Sequence, residues 1–224
     1  ENWTQNLEEI SGDDYESNGS TAQTGKLLKL LEIPHKEMIA YHDHNESTQS
    51  QKIVQRMLKD DLRVALVSDA GPPCVSDPGY RLVRAAHEAG IKVHPVPGAS
   101  AFISLVSASG LASNRLIFEG FLPVKSGQLE KQISSWAGLK GSIVFFESAR
   151  RLEKTLGVVA SIYPNGRCAI GRELTKMYEE VLHLKLDKAV EWAHEHTSLK
   201  GEVVVMIETG DVSVEITEDH IKDM

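Results

Sequence analysis

The chain has 224 residues, 41% of them hydrophobic, which suffices for one large domain or two small ones with a buried core. The formal net charge of −8 argues against attraction of the whole protein to phosphate or membrane surfaces, so any nucleic-acid site must be local. No apolar run approaches the roughly 20 residues that span a bilayer, and no signal peptide opens the chain. We therefore expect a cytoplasmic protein.

The first part of the chain is polar and then helical. Residues 1–25 lack a periodic apolar run, which predicts loop or disorder. A cluster of leucines within residues 23–33 indicates a helix. A second helix is predicted over residues 48–59, with Ser47 as its cap and Leu58 on its inward face.

A βαβ unit is predicted next. Residues 64–67 form a short, nearly all-apolar run, which is typical of a strand covered on both faces in a parallel sheet. The following helix is predicted to have Asp77 as N-cap, Pro78 as its first residue and Gly90 as its stop. Residues 92–95 indicate the next strand.

The alternation of strands and helices continues and indicates an α/β fold. Further helices are predicted over residues 99–109, 128–137 and 150–162, and further strands over residues 116–119, 142–147, 167–171, 180–184 and 202–208. The spacing changes between residues 110 and 123. We therefore predict an N-terminal domain of residues 1–112 and a C-terminal domain of residues 113–224.

The loop at residues 68–79 is a candidate binding segment, because ligands collect beyond the carboxyl ends of strands in open parallel sheets. Gly71 and Gly79 let backbone approach a ligand closely, and Asp69 and Asp77 supply short acceptors. The alternative is a rigid crossover whose aspartates cap helices. We favour that alternative for Asp77 and leave both interpretations open for Asp69.

The next βα loop, residues 95–101, has the same placement. Gly98 and Ser100 offer backbone N–H groups and a hydroxyl to a carboxylate or an adenine. The loop contains neither G-x-G-x-x-G nor G-x-x-x-x-G-K-[ST], which argues against a classical dinucleotide site or a nucleotide P-loop. Two such loops in tandem predict one shared ligand site.

Charged residues follow two of the later strands. Such groups contact a substrate or pair with one another as structural salt bridges. We favour a functional role for Glu147, Arg172, Glu173 and Lys176. We favour a structural role for Arg151 and Glu180.

The spacing of the cysteines and of His42 and His44 indicates neither a metal site nor a redox site. Cys74 and Cys168 are far apart and lack C-x-x-C spacing, which favours buried, reduced thiols over a disulfide. His42 and His44 have no third ligand spaced to complete a zinc site, so we predict no metal.

These segments, taken in order, resemble the tetrapyrrole-methylase-like superfamily, and within it the methyltransferases of small-subunit ribosomal RNA that modify a cytidine ribose 2′-hydroxyl. The motifs are YHDHNE (residues 41–46), VSDAG (67–71), SDPGYRLV (76–83), PGASA (97–101), FEGFLP (118–123), FES (146–148), RELTK (172–176), EEVL (179–182) and KGE (200–202). The resemblance covers about residues 24–209.

The resemblance implies two α/β domains with S-adenosylmethionine in the cleft between them, and a homodimer that acts on small-subunit ribosomal RNA or the assembled subunit. The residues that it assigns to the cofactor are Asp69, Gly71, Pro72, Val75, Gly98, Ser100, Ala101 and Leu174. The residues that it places on the substrate side are Glu147, Arg172, Glu173 and Lys176. Of these, Glu147, Glu173 and Lys176 are candidates to orient or deprotonate the ribose hydroxyl.

The sequence departs from the family pattern in two places, at the start of the chain and at Pro72. The family normally begins with an apolar strand and a Pro-x-Gly-Asn-Leu-like loop, to which only residues 6–10 are similar here, so we expect an irregular or incomplete start. Pro72 stands where the family usually has threonine, which removes one hydroxyl from the cofactor loop.

Two other functions remain open from the sequence. The first is methylation of a tetrapyrrole or another small molecule, and a basic rim formed by Lys125, Arg150, Arg151 and Lys176 would favour RNA over it. The second is RNA binding without catalysis. The atypical first 25 residues are the reason to consider it.

Overall fold

The computed structural model describes residues 20–34, 37–68 and 71–209. Almost all of the irregular segment predicted at the start lies outside these residues, and the first described element is helix α1 (Ser20–Leu30). The chain forms two compact units, residues 1–99 and residues 100–224. A domain boundary near residue 112 stays a prediction. In the described ranges, no helix has both the length and the apolar character needed to cross a membrane.

The first unit is built on two packed helices, α2 (Glu46–Asp60) and α3 (Tyr80–Glu88). The buried side chains that join them are Ile53, Val54, Leu82, Ala85 and Ala86. Helix α2 ends at Asp60 and is followed by the C-cap residue Asp61, whose φ of 52° is left-handed and whose N–H donates a hydrogen bond to the Met57 carbonyl. Gly90, with φ of 74°, follows the last turn of α3, as its predicted role of helix stop requires.

The start and the exposed face of α2 differ from the prediction. Ser47 lies inside the helix, and Asn45 holds the N-cap position without a side-chain bond to the helix. The Asn45 side chain instead accepts a hydrogen bond from the His42 N–H at 2.9 Å and so stabilises the preceding turn. Met57 still packs against the core between α2 and α3, whereas Leu58, the next residue, is 61% exposed.

The predicted βαβ unit does not form among the described residues of the first unit. Neither residues 64–67 nor residues 92–95 pair with a strand there. Val64 and Leu66 pack against the α2–α3 core, whereas Val67 is 53% exposed, so the run is covered on one face only. A strand needs a neighbour to satisfy its backbone N–H and C=O groups, and an apolar run does not identify that neighbour.

The second unit contains a five-stranded sheet of order β1-β2-β5-β3-β4. Its elements are α4 (Ala101–Ala108), β1 (Leu116–Phe121), α5 (Ser126–Ser134), β2 (Ser142–Ser148), a 3-10 turn (Ala149–Arg151), α6 (Leu152–Ile162), β3 (Arg167–Arg172), β4 (Glu180–Lys185), α7 (Leu186–Glu195) and β5 (Glu202–Glu208). Strands β1 and β2 are parallel, and the other neighbours are antiparallel. The α/β class and all five strands predicted here are confirmed.

The middle strands β2, β5 and β3 are buried on both faces. Successive residues of a strand point to opposite sides of the sheet, and packed helices cover both sides. On β2, Ile143 and Phe145 pack with residues of α5, α6 and α7. Val144 faces the other side and packs with Leu105 of α4. Helix α7 was not predicted, although its buried Leu186 and Ala189 have helical spacing.

Candidate functional site

The loop at residues 71–79 has a constrained backbone. Cys74 (φ 70°) and Ser76 (φ 61°) adopt the left-handed conformation that non-glycine residues rarely take, and Gly71 and Gly79 also have positive φ. The Ser68 hydroxyl donates a hydrogen bond of 2.7 Å to the Gly71 carbonyl. Strained backbone of this kind concentrates in ligand-binding and active-site loops.

Gly71 and Ala99, one from each of the two loops predicted to bind the cofactor, lie close together in the first unit. A Cβ placed on Gly71 would lie 3.8 Å from the Ala99 carbonyl oxygen. A Cβ placed on Gly98 would have no neighbouring atom within 4 Å, so the backbone there is open to a ligand. Asp69 lies outside the described residues.

The other residues predicted to bind the cofactor occupy ordinary packing positions. Pro72 and Val75 are half-buried in the first loop. In the second unit, Ser100 caps α4 by accepting a hydrogen bond of 3.5 Å from the Ile103 N–H, and Ala101 is exposed as the first helical residue. Leu174, also in the second unit, packs against the core on the α4 side of the sheet.

Gly79 fits its position because it has no side chain. Its φ is +146°, and a Cβ would lie 2.7 Å from Cys74 Sγ and 2.8 Å from Leu66 Cδ2. We expect Gly79→Ala to lower the free energy of unfolding by roughly 2 kcal/mol, measured by urea denaturation, because strain and overlap combine. Gly98→Ala is the matched control and should change stability little. An equal loss in both variants would contradict this account.

The first turn of α3 is capped by a side chain from α2. Oε1 of the buried Glu46 accepts hydrogen bonds from the backbone N–H groups of Gly79 (3.0 Å) and Arg81 (3.3 Å). Its Oε2 lies 3.3 Å from Arg81 Nε. Glu46 thus satisfies helix N–H groups that have no partner within the helix and complements the helix dipole. The predicted roles of Asp77 as N-cap and Pro78 as first helical residue are wrong, since Gly79 occupies the N-cap and the helix begins at Tyr80.

The two cysteines differ in exposure. Cys168 is buried, as predicted, and burial raises the pKa of its thiol to about 12. Cys74 is exposed, contrary to the prediction. Partial burial of its thiol, and then the carboxylates of Glu46 and Asp77, still raise the pKa of Cys74. Both thiols therefore stay protonated at neutral pH and are weak nucleophiles.

Glu147 is the next-to-last residue of β2 and lies in a buried hydrogen-bonded network. It is 2% exposed, and its Oε1 accepts a hydrogen bond of 2.8 Å from the Ser148 N–H. Oε2 accepts a hydrogen bond of 2.7 Å from the Thr155 hydroxyl and lies 3.3 Å from Nη2 of Arg151. Arg151 also donates to the Leu122 carbonyl, which agrees with a structural role for Arg151.

The other residues predicted on the substrate side are the last residue of β3 and residues directly after it. Oε1 of Glu173 accepts hydrogen bonds from Lys176 Nζ (3.1 Å) and from the Glu202 N–H (2.8 Å), and Lys176 Nζ also lies 3.0 Å from Glu202 Oε2. Arg172 pairs with Glu180 at 3.1 Å. We call Glu173, Lys176 and Glu202 the charged cluster.

Strand register places the predicted substrate-side residues at one level of the sheet. Glu147 of β2 and Arg172 of β3 both pair with Val203 of the central strand β5. The charged cluster begins one residue beyond Arg172. The structure therefore brings these predicted positions to one end of one sheet.

Glu173 and Lys176 of the charged cluster are both held in their charged forms. The Glu202 N–H, followed by the Lys176 ammonium, lowers the pKa of Glu173. The Glu202 carboxylate, followed by Glu173, raises the pKa of Lys176. At neutral pH the site therefore presents a carboxylate acceptor beside an ammonium donor.

The contribution of the charged cluster to the free energy of unfolding is expected to fall at both low pH and high pH. Because the pKa of Glu173 is lowered, its contribution is present above the unfolded-state value, about 4.3, and is lost as the pH falls through the folded-state pKa. Because the pKa of Lys176 is raised, its contribution is present below about 10.4 and is lost as the pH rises through the folded-state pKa. The difference in unfolding free energy between the wild type and Glu173→Gln should therefore be largest between about pH 5 and pH 10. A pH-independent difference would contradict this.

An open groove of about 500 Å³ adjoins the charged cluster. The residues that line it are Arg172, Glu173, Tyr178, Ser198, Leu199, Lys200 and Gly201. Sequence reasoning singled out neither Tyr178 nor Lys200 as a site residue. It also missed Glu46 and Glu202, although both lie within the motifs quoted for the resemblance.

Comparisons of sequence relate the chain to known proteins. The profile of the family "Tetrapyrrole (Corrin/Porphyrin) Methylases" matches residues 21–190. The "Ribosomal RNA small subunit methyltransferase I" of Halalkalibacterium halodurans is 41% identical over 195 residues, which are 87% of this chain and 66% of that protein. The proteins of the same name from Xylella fastidiosa (41%, covering 84% and 69%) and Escherichia coli (36%, covering 90% and 71%) are similar. The chain spans about two thirds of the length of these relatives.

Comparisons of structure show the same fold at low sequence identity. The methyltransferase CobJ superposes with a TM-score of 0.56 at 16% identity, covering 88% of each chain. Uroporphyrin-III C-methyl transferase from Thermus thermophilus, in complex with S-adenyl homocysteine, has a TM-score of 0.51 at 16% identity, covering 82% of this chain and 80% of that one. These structures confirm the predicted fold class.

Proposed function

Because the chain belongs to the tetrapyrrole methylase family, and within it to the ribosomal RNA small subunit methyltransferase I proteins, we propose that it methylates small-subunit ribosomal RNA with S-adenosylmethionine. The observation that carries the proposal is the identity of 41% to a relative of that name over 87% of the chain. We place the methyl group on a cytidine ribose 2′-hydroxyl, as the sequence resemblance implies.

The loops of the first unit fit the cofactor. Gly71 lies close to Ala99, and a Cβ on Gly98 would meet no atom within 4 Å, so the backbone there leaves room for a ligand. A bound sulfonium supplies an activated methyl group whose leaving group departs neutral. The assignment of Ser100, Ala101 and Leu174 to the cofactor is part of the same proposal.

The chain's own task in this reaction is to position the ribose hydroxyl and accept its proton. A ribose hydroxyl is a weak nucleophile at neutral pH, so it needs an acceptor and in-line alignment. We assign to the Glu173 carboxylate, which its lowered pKa keeps ionised, the role of orienting the hydroxyl as a hydrogen-bond acceptor and taking up its proton as the methyl group is transferred. We assign a donor role to the Lys176 ammonium, which its raised pKa keeps protonated. Arg172 and Glu147 complete the proposed catalytic set and lie at the same level of the sheet.

The proposal also includes a cytoplasmic location and a homodimer. The homodimer follows from the sequence resemblance. Light scattering coupled to size-exclusion chromatography measures it directly, and a monomer at assay concentration would remove this part of the proposal.

A methylation assay tests the function. Small ribosomal subunits that lack the modification are incubated with the protein and labelled S-adenosylmethionine, and the modified nucleotide is mapped. Transfer to a cytidine 2′-oxygen is the expected result. Transfer to a tetrapyrrole but not to the subunit would overturn the RNA substrate, and calorimetry without cofactor binding by folded protein would indicate a non-catalytic relative.

A further inference from the structure

The groove beside the charged cluster has one wall formed by an exposed aromatic side chain. Tyr178 is 68% exposed and lines the groove. Across the part of the chain that the structure describes, its ring stacks on no other ring and its hydroxyl makes no hydrogen bond. An exposed aromatic face of this kind is a platform on which a nucleic-acid base can stack.

Two of the three charged residues that line the groove have an ion-pair partner. Arg172 pairs with Glu180, and Glu173 pairs with Lys176. Lys200, by contrast, is exposed and has no ion pair or hydrogen bond within residues 20–34, 37–68 and 71–209. An unpaired ammonium group on a groove wall is available to a phosphate.

We propose that this groove binds a nucleotide of single-stranded RNA, with the base stacked on Tyr178 and a phosphate paired with Lys200. A volume of about 500 Å³ lies within the range of small-molecule sites. The inference rests on the proposed function, because the RNA is the substrate of that reaction. It adds two residues that hold the RNA beside Glu173 without a role in proton transfer.

Four variants test the groove. Tyr178→Ala removes the stacking surface, Tyr178→Phe keeps it, and Lys200→Gln removes the cation. Met177→Ala is the matched control, because Met177 is adjacent and 89% exposed but does not line the groove. The probe is a fluorescent single-stranded oligonucleotide of small-subunit ribosomal RNA, whose affinity is measured by anisotropy over a series of salt concentrations.

Tyr178→Ala should weaken RNA binding about 10-fold, whereas Tyr178→Phe and Met177→Ala should bind as the wild type does. Lys200→Gln should weaken binding and reduce the salt slope by about one. The affinity for S-adenosylmethionine, measured by calorimetry, should be unchanged in all four variants. Circular dichroism and thermal unfolding verify that each variant is folded.

Three results overturn the groove proposal while the proposed function stands. The first is a wild type that methylates subunits together with a Tyr178→Ala variant that binds RNA no more weakly than Met177→Ala. The second is a Tyr178→Ala variant that loses affinity for S-adenosylmethionine, which would assign the groove to the cofactor. The third is a wild type that methylates subunits but does not bind the oligonucleotide. If the wild type binds RNA through Tyr178 but transfers no methyl group, the proposed function fails and the groove stands.

Discussion

Replacing Glu46 with alanine is expected to lower the free energy of unfolding by about 2 kcal/mol and to weaken S-adenosylmethionine binding at least 10-fold. The buried carboxylate accepts hydrogen bonds from the N–H groups of Gly79 and Arg81, 33 and 35 residues away in the chain. Loss of a helix cap costs about 1 kcal/mol, and a buried donor left without a partner costs 1–3 kcal/mol. Because Gly79 ends the proposed cofactor loop, the loop should lose its fixed conformation at the same time.

Two further variants separate the loop effect from general destabilisation. Glu37→Ala also removes a glutamate from the first unit, but Glu37 pairs with Arg56 on the surface, so a much smaller loss of stability is expected. Glu46→Gln keeps an oxygen acceptor for Gly79 and should recover part of the cofactor affinity. If Glu46→Ala unfolds more easily yet binds the cofactor as the wild type does, Glu46 only stabilises α3.

The middle strands of the second unit, β2, β5 and β3, were predictable from sequence because they are buried on both faces. In β5, Val203 to Ile207 are all buried, and such a run has few alternatives to a central strand. The apolar run at residues 64–67 looks the same in sequence but is covered on one face only. Pattern alone cannot separate these cases, because it describes one segment and not the neighbour that the segment needs.

The candidate site was predictable only where its residues are close in sequence. Glu173 and Lys176 are three residues apart, so their pairing is readable from a short motif. Glu46 and Gly79 are joined across 33 residues by the packing of α2 on α3, for which no local pattern exists. The local pattern therefore predicts Asp77 as the cap of α3, whereas the acceptor is Glu46 of helix α2.

Glu147→Ala is expected to lower the free energy of unfolding by about 3 kcal/mol. The substitution removes the acceptor for the Thr155 hydroxyl and the Ser148 N–H and the ion-pair partner of Arg151. Breaking a buried ion pair costs 3–5 kcal/mol, and the lower end applies because Arg151 keeps its hydrogen bond to the Leu122 carbonyl. Urea denaturation measures the loss. Glu153→Ala, which removes an exposed glutamate on the adjacent helix α6, should change stability by less than about 1 kcal/mol.

Glu147→Gln then separates a role in stability from a role in turnover. The amide is close in size to the carboxylate and can still accept one hydrogen bond, so about 1 kcal/mol of stability should be lost and the variant should stay folded at assay temperature. A folded Gln variant with strongly reduced turnover and unchanged cofactor affinity would support the proposed catalytic role. Unchanged turnover would leave Glu147 as the residue that connects the end of β2 to Arg151 and α6. In that case proton acceptance would fall to Glu173, whose carboxylate, unlike that of Glu147, lines the groove.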